Sequence, residues 1–555
     1  MKTPGMGSSE RAETQRSSLA HLKEGEVRHV VSGLRIGGNG IGCSSGRAGV
    51  CGRSAEVAAF QNLLLDFTRK LARQMVERSC SSERLDRLIV KALTATAAGI
   101  NFDEEELRRL CEEVASACGI HFPQNRFDQL EIAERSGIAG GRLRLGNELA
   151  ARLALLFTGI RGIAVFYSRA LRLGGREDFI FSYLRRALAY SLHPDLKPRE
   201  MLKLLLDCGG AVRATLDLLD RVQAAEFGEP APVLVRSTPR KGAGILVTGH
   251  DLGELAGLLA ALGGSGINVY THGELLPAHG YPKLRENAHL VGHLGGAWQT
   301  QQRDFQQFPG PILVTGNCVM PPLPEYAPRL FTCGAAHLAG IRHLSEGEYA
   351  PLLEAASALP GFTEDSPGGE PLRVGFGRAA LERLAGKLAE LFRSGKVRRL
   401  FLIGGCDSPQ LGQDYGTSLA RAVPADCIVL TLGCAKYRLR EEVSGEIDGI
   451  PRLLDVGQCS EIVAVMELLD TLGAALDLPA EQVPFSVFFS WHGQSAVAIL
   501  LALLAAGFRD VRFGPVLPAF VTPEMREIME RLFNLRLGSV PDEDFAAALQ
   551  TEPAR

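Results

Sequence analysis

The sequence predicts a multidomain α + α/β protein, with N-terminal helical bundles followed by two doubly wound parallel α/β domains. Three observations carry that reading. Apolar residues between about 56 and 228 recur with a helical period. Beyond Pro230, short Val- and Ile-rich runs alternate with amphipathic segments. A long amphipathic segment near 380–398 then leads into Val397–Ile403 and splits this second part in two. With 555 residues, 46% of them hydrophobic, the chain has material for large cores and a length that favours about three or four domains. The expected division is 1–55, 56–228, 229–390 and 391–555.

Residues 1–30 are polar and without apolar period. Residues 31–55 contain SGLRIGGNGIGCSSGRAGVCG, a glycine-rich loop carrying Cys43 and Cys51. Such a loop can wrap closely around a bulky inorganic group because glycine adopts positive φ, or it can serve as a flexible connector. In AFQNLLLDFTRKLARQM, residues Phe60, Leu63, Leu64, Phe67 and Leu71 share one helical face. In NFDEEELRRLCEEVASAC, Asn101 is the expected N-cap and Leu107, Leu110, Cys111, Val114 and Cys118 form the buried stripe. The segments LAARLALLFTGIRGIAVFYSRALRL and FIFSYLRRALAYSL continue an antiparallel bundle pattern. The expected strands of the second part are APVLVR, GAGILVTGH, GINVYTHGE, GPILVTGNC, VRRLFLIGGC, DCIVLTLGC and PFSVFFSW.

Composition excludes several functions. Lys plus Arg number 60 against 63 Asp plus Glu, a formal charge of −3, so no bulk field attracts nucleic acid or an anionic membrane. The longest uncharged apolar run, Ala496 to Phe508, is shorter than the ~20 residues a bilayer demands. The opening MKTPGMGSSERAETQ has no apolar signal core, so a cytoplasmic location is expected. Twelve cysteines in that compartment should be thiols, metal ligands or redox groups rather than disulfides.

Position separates those cysteines. Doubly wound sheets present ligands at the carboxyl ends of their strands. There the sequence places His250 (ILVTGH), Glu274 (with His272, in INVYTHGE), Cys318 (ILVTGNC), Cys406 (FLIGGC), Cys434 (IVLTLGC) and Cys459 (LLDVGQC). A glycine stands just before most of them. One such cysteine is ordinarily a small buried hydrophobe. Four cysteines, a histidine and a glutamate at equivalent positions are a site. No Cys-x-x-Cys pair marks structural zinc among them, and the mix of thiolate, imidazole and carboxylate suits a polynuclear iron centre between the two α/β domains. Cys208, placed at a helix end, and Cys427, at a strand start, are expected to be structural. Cys333 ranks below the six, and Cys80 sits in a polar loop.

The strings ILVTGHDLGELAGLL, NVYTHGELLPAHGYP, HLVGHLGGAWQTQQRDFQQFPGPILVTGNC, LTLGCAKYR, GIPRLLDVGQC and AVAILLALLAAGF make the chain resemble the hybrid cluster protein family, also called prismane proteins or hydroxylamine reductases, over about residues 43–535. That resemblance implies a hybrid iron-sulfur-oxygen cluster held by His250, Glu274, Cys318, Cys406, Cys434 and Cys459, with Cys406 at the position the family persulfidates. It implies reduction of hydroxylamine to ammonia and water, activity on nitric oxide, an electron-donor reductase as partner, and proton donors at His272, His279 and Lys436. Two departures stand out. The family's four-cysteine set for a second, conventional iron-sulfur cluster is represented here only by Cys43 and Cys51, which leaves that cluster absent, incompletely ligated or shared with another chain. The family's SWYEQKA motif is SWHGQSA here, with Gly493 where a glutamate ligand is expected and His492 as its possible substitute. The rival expectations are a non-catalytic nitric-oxide or redox sensor and a nickel-iron carbon monoxide dehydrogenase relative.

Overall fold

The structure, a computed structural model, describes residues 53–136, 147–193, 195–406, 415–490, 493–509, 511–514, 520–538 and 540–550. Cys43, Cys51 and His492 lie outside these.

The first half is helical: α1 Ala55–Glu77, α2 Glu83–Ala95, α3 Glu104–Cys118, α4 Arg126–Arg135, α5 Asn147–Arg172, α6 Asp178–Tyr190 and α7 Pro198–Phe227. Ser54 caps α1 by accepting from the Val57 N–H at 3.1 Å. The cap of α3 is Asp103, which accepts from Glu105 and Glu106, and not Asn101. Asn101 instead pairs with His337 in a two-residue parallel bridge and accepts the Asp103 N–H through its side chain. Cys111 and Cys118 lie on the buried stripe, their thiols against the Phe60 and Phe67 carbonyls. Cys208 sits inside α7 rather than at a helix end. Helix α5 is long and apolar enough to cross a membrane, but 89% of its most apolar window is buried inside the protein.

The second half holds two six-stranded sheets in which every strand pair is parallel. The first contains β1 Gly244–Thr248, β2 Asn268–His272, β3 Leu290–His293, β4 Ile312–Val314, β5 Leu330–Cys333 and β6 Arg342–Leu344. The second contains β7 Arg399–Gly405, β8 Cys427–Leu432, β9 Leu453–Gly457, β10 Phe485–Ser490, β11 Val511–Phe513 and β12 Arg536–Leu537. Their spatial orders are β3-β2-β1-β4-β5-β6 and β9-β8-β7-β10-β11-β12, the same doubly wound 3-2-1-4-5-6 order twice. Strands such as CIVLTL are buried at every residue, as helix-covered parallel sheets require. The expected strand in APVLVR joins neither sheet, since Val233–Val235 pairs antiparallel with Leu372–Val374.

The helix after β10, α8 Gln494–Ala505, belongs in sequence to the second sheet but packs into the bundle against α5 and α7. Small residues permit the approach: a Cβ on Gly209 would stand 2.1 Å from the Leu501 carbonyl oxygen, and one on Gly162 2.4 Å from the Ala498 Cβ. This close packing seats the carboxyl end of α5 beside the strand ends of both sheets.

Candidate metal centre

Ligand crevices in this topology open where the strand order reverses, between strands one and four. Those pairs are β1/β4 and β7/β10. His250 follows β1, Glu274 follows β2 and Cys318 follows β4; Cys406, Cys434 and Cys459 follow β7, β8 and β9. The two sets face each other. Glu274 Oε2 lies 3.7 Å from His250 Nε2 in its own sheet and accepts the Cys459 N–H of the other at 3.1 Å. Cys459, Cys434 and Cys318 all lie near enough to act on the Cys406 thiol.

Local backbone geometry explains how short loops achieve this. Gly249, Gly273, Gly405 and Gly433 immediately precede four of the six residues, and Gly457 lies two before Cys459; all have φ between 58° and 139°. A side chain at Gly433 is excluded twice over, since its φ is 72° and a Cβ would lie 2.7 Å from Cys459 Sγ and 3.3 Å from Glu274 Oε1. The loop after β4 turns differently. There Cys318 itself is left-handed, at φ 68°, which for a non-glycine residue costs about 1–3 kcal/mol held by its surroundings.

The electrostatics are those of a site built for positive charge. All six side chains except the half-buried Cys318 are buried. Burial and then the neighbouring Glu274 push the Cys318 and Cys434 thiols up; the Cys459 hydrogen bond and then burial do the same to Cys406. Burial holds the His250 imidazole down at about 3, so it is neutral, the form that donates to a metal. His250 Nδ1 and Glu274 Oε1 are buried with no hydrogen-bond partner among the described residues. Leaving such atoms unmatched costs about 1–3 kcal/mol each, which a cation between them would offset. Among the described residues no three His, Cys, Asp or Glu side chains converge tightly enough for a lone ion. The donor types fit a polynuclear iron-sulfur group better than a single metal.

The expected proton donors lie in hydrogen-bonded networks. His272 bonds Thr248 Oγ1 at 3.0 Å and Asp304 Oδ2 at 3.3 Å. Burial works against the Asp304 charge, yet the bonds from His272, Thr300 and the Gly296 N–H hold its carboxyl well below the usual range. His279 bonds Thr271 Oγ1 at 3.0 Å, and burial brings it down to about 4. Lys436 is paired with Asp455 at 2.6 Å and donates to the Gly457 carbonyl at 2.9 Å. Lys436, Asp455, Tyr437 and His293 line a chamber of about 720 Å³. A second chamber, about 450 Å³, is walled by Ser168, Arg169, His250, Thr315 and Asn317.

Sequence reasoning missed several residues that hold the site. Gln458 Nε2 donates to the Glu274 and His250 carbonyls at 2.8 and 3.1 Å. Trp298 Nε1 donates to the Cys406 carbonyl at 3.0 Å, Gln299 to the same oxygen, and Gln301 to the Cys318 carbonyl at 3.2 Å. His293 bonds Tyr437 and Thr271, both at 2.9 Å. Arg169 had a legible signal: with Arg161 it places two charges eight residues apart on one face of an apolar helix. The other described cysteines are apart from the site. Cys333 Sγ lies against the Val314 carbonyl, Cys427 opens β8, and Cys80 is exposed.

A helical bundle braced against two doubly wound sheets, whose strand ends pool thiols, an imidazole and a carboxylate, defines a class of redox proteins that carry a metal cluster between domains. The chain belongs to the Prismane/CO dehydrogenase family, whose model matches residues 38–546. It is 37% identical to a hydroxylamine reductase of Burkholderia lata and 37% identical to one of Syntrophobacter fumaroxidans, in each case over 92% of this chain and 97% or 98% of the relative. A hydroxylamine reductase of Rhodospirillum rubrum is 36% identical over 92% of this chain and 97% of that one. The fold is also that of carbon monoxide dehydrogenase IV from Carboxydothermus hydrogenoformans, with a TM-score of 0.57, 18% identity, and coverage of 97% and 96% of the two chains. The carbon monoxide dehydrogenase from Thermococcus sp. AM4 has a TM-score of 0.55 at 18% identity, covering 96% of this chain and 91% of that one.

Proposed function

We propose that this protein is a cytoplasmic hydroxylamine reductase, taking NH2OH with two electrons and two protons to NH3 and H2O, with nitric oxide as a further substrate. The observation that carries the proposal is the ring of six donors at equivalent strand ends, with His250 Nδ1 and Glu274 Oε1 left unmatched, in a chain so similar to proteins called hydroxylamine reductases. His250, Glu274, Cys318, Cys406, Cys434 and Cys459 are the residues that would hold a hybrid iron-sulfur-oxygen cluster. Such a group supplies electrons and a Lewis-acidic iron for the N–O oxygen. The chain's own part is to keep the donors in place, exclude bulk water and deliver protons. Lys436, His272 and His279 are assigned as proton-holding groups. Thr271 links His279 to His293, and Tyr437 links His293 to the wall of the larger chamber. A separate reductase supplies the electrons.

Anaerobically purified protein with reduced viologen tests this reading. Hydroxylamine-dependent oxidation of the dye with stoichiometric ammonia supports it; a protein that carries its cluster but does not turn over defeats it. One observation favours a second reading, a nitric-oxide or redox sensor: the place of the expected glutamate ligand is Gly493, which has no side chain to donate.

A further inference from the structure

One side chain touches all three parts of the molecule at the centre. Gln458, 1% exposed, sits between the end of β9 and Cys459. Its Nε2 reaches across to the first sheet and donates to two carbonyls, Glu274 at 2.8 Å and His250 at 3.1 Å. Its Oε1 accepts from Arg169 Nη2 of helix α5 at 2.6 Å. That guanidinium, itself buried, also reaches Ser460 Oγ at 3.3 Å. The amide's orientation is determined by its partners, because carbonyls only accept and guanidinium only donates. No other side chain of this length offers two N–H donors on one side and an acceptor on the other. A glutamate would set carboxylate oxygen against two carbonyl oxygens.

We propose that Gln458 is a positioning residue: its amide, oriented by Arg169, sets the spacing between the His250 and Glu274 loops and the Cys459 loop, so that the two halves of the cage close as one unit. The role in cluster chemistry rests on the reading that these residues hold a cluster; the coupling of the loops does not. A side chain that merely filled space would leave those loops alone when replaced by its isostere.

Hydrogen–deuterium exchange on the full-length, metal-free protein tests the coupling directly. In Gln458→Glu, amides of residues 249–251 and 273–280 are expected to exchange about tenfold faster, as the loss of a buried hydrogen bond implies, while the interiors of β1 and β2 stay protected. Arg169→Met is expected to give the same localised change and Arg169→Lys, which keeps a donor, to restore much of the protection. If Gln458→Glu does not fold, the Arg169 pair still decides the matter. Unchanged loop exchange in whichever variants fold overturns the proposal. On reconstituted protein, Gln458→Glu should also shift the EPR signal of the reduced cluster. If wild-type protein takes up no iron while the variants still show the exchange pattern, the functional reading is refuted and the positioning role stands.

Discussion

The Cys459 N–H donates to Glu274 Oε2 at 3.1 Å, so a backbone amide of the second sheet holds a carboxylate of the first. The other oxygen of that carboxylate has no partner among the described residues. Glu274→Gln keeps an acceptor for Cys459 and removes the anionic donor. Thermal stability of the metal-free protein should change by less than about 1 kcal/mol, while iron retention should fall steeply. Losing a partner behind a ligand already costs about 10–100-fold in metal affinity, and losing a donor atom costs more. Iron analysis after dialysis measures it, and wild-type retention would remove Glu274 from the cage.

Burial that holds His279 at about 4 gives a pH dependence of definite sign. The unfolded value is near ~6.5, so the folded state binds this proton less readily and the stability it contributes is present above ~6.5. That stability is lost as pH falls through ~6.5 toward 4, by an amount on the order of 3 kcal/mol. His279→Gln, which retains a partner for Thr271, should therefore flatten the acid limb of urea-unfolding stability between about pH 6.5 and 4. Parallel wild-type and variant curves would show that His279 does not titrate on folding.

Lys436 and Asp455 form a buried pair, 4% and 6% exposed in their side chains. Lys436→Met leaves the Asp455 carboxylate buried and uncompensated, and denaturant titration should show a loss of about 3–5 kcal/mol. Lys436→Met with Asp455→Asn should recover most of it. Equal destabilisation in the single and double variants would mean that the two charges are not coupled.

Gly493 has an ordinary extended backbone, φ −145°, and among the described residues no heavy atom lies within 4 Å of where a Cβ would stand. It follows β10, which borders the switch point of the second sheet as β4, ahead of Cys318, borders that of the first. Gly493→Glu should fold with a melting temperature within a few degrees of wild type and alter the EPR spectrum of the loaded protein. A collapse in stability would show that the position is closed to a side chain.

The periodic parts of the molecule were legible in sequence because they rest on local physics. Phe60 to Leu71 mark a helix face, and the Val- and Ile-rich runs mark fully buried parallel strands. The glycines before His250, Glu274, Cys406 and Cys434 were legible as turns, and each has the positive φ that only glycine adopts cheaply. What escaped was non-local or short. β3 and β6 have four and three residues, too few to show a period. Asn101 looked like a cap because asparagine favours that position ahead of an acidic turn, but Asp103, two residues on, does that work. Gln458 finds its partners 184, 208 and 289 residues away in sequence, a distance at which no spacing rule operates. The antiparallel pairing of Val233–Val235 with Leu372–Val374 escaped for the same reason.

Six residues at the strand ends are expected to hold the cluster without help from the N-terminal cysteines. Iron and acid-labile sulfide per chain, measured in the anaerobically purified Cys43→Ser/Cys51→Ser double variant, test it most directly. Several irons with sulfide are expected in every chain, retained without the N-terminal cysteines and lost when Cys434 and Cys459 are replaced as well. A double variant free of iron would contradict it.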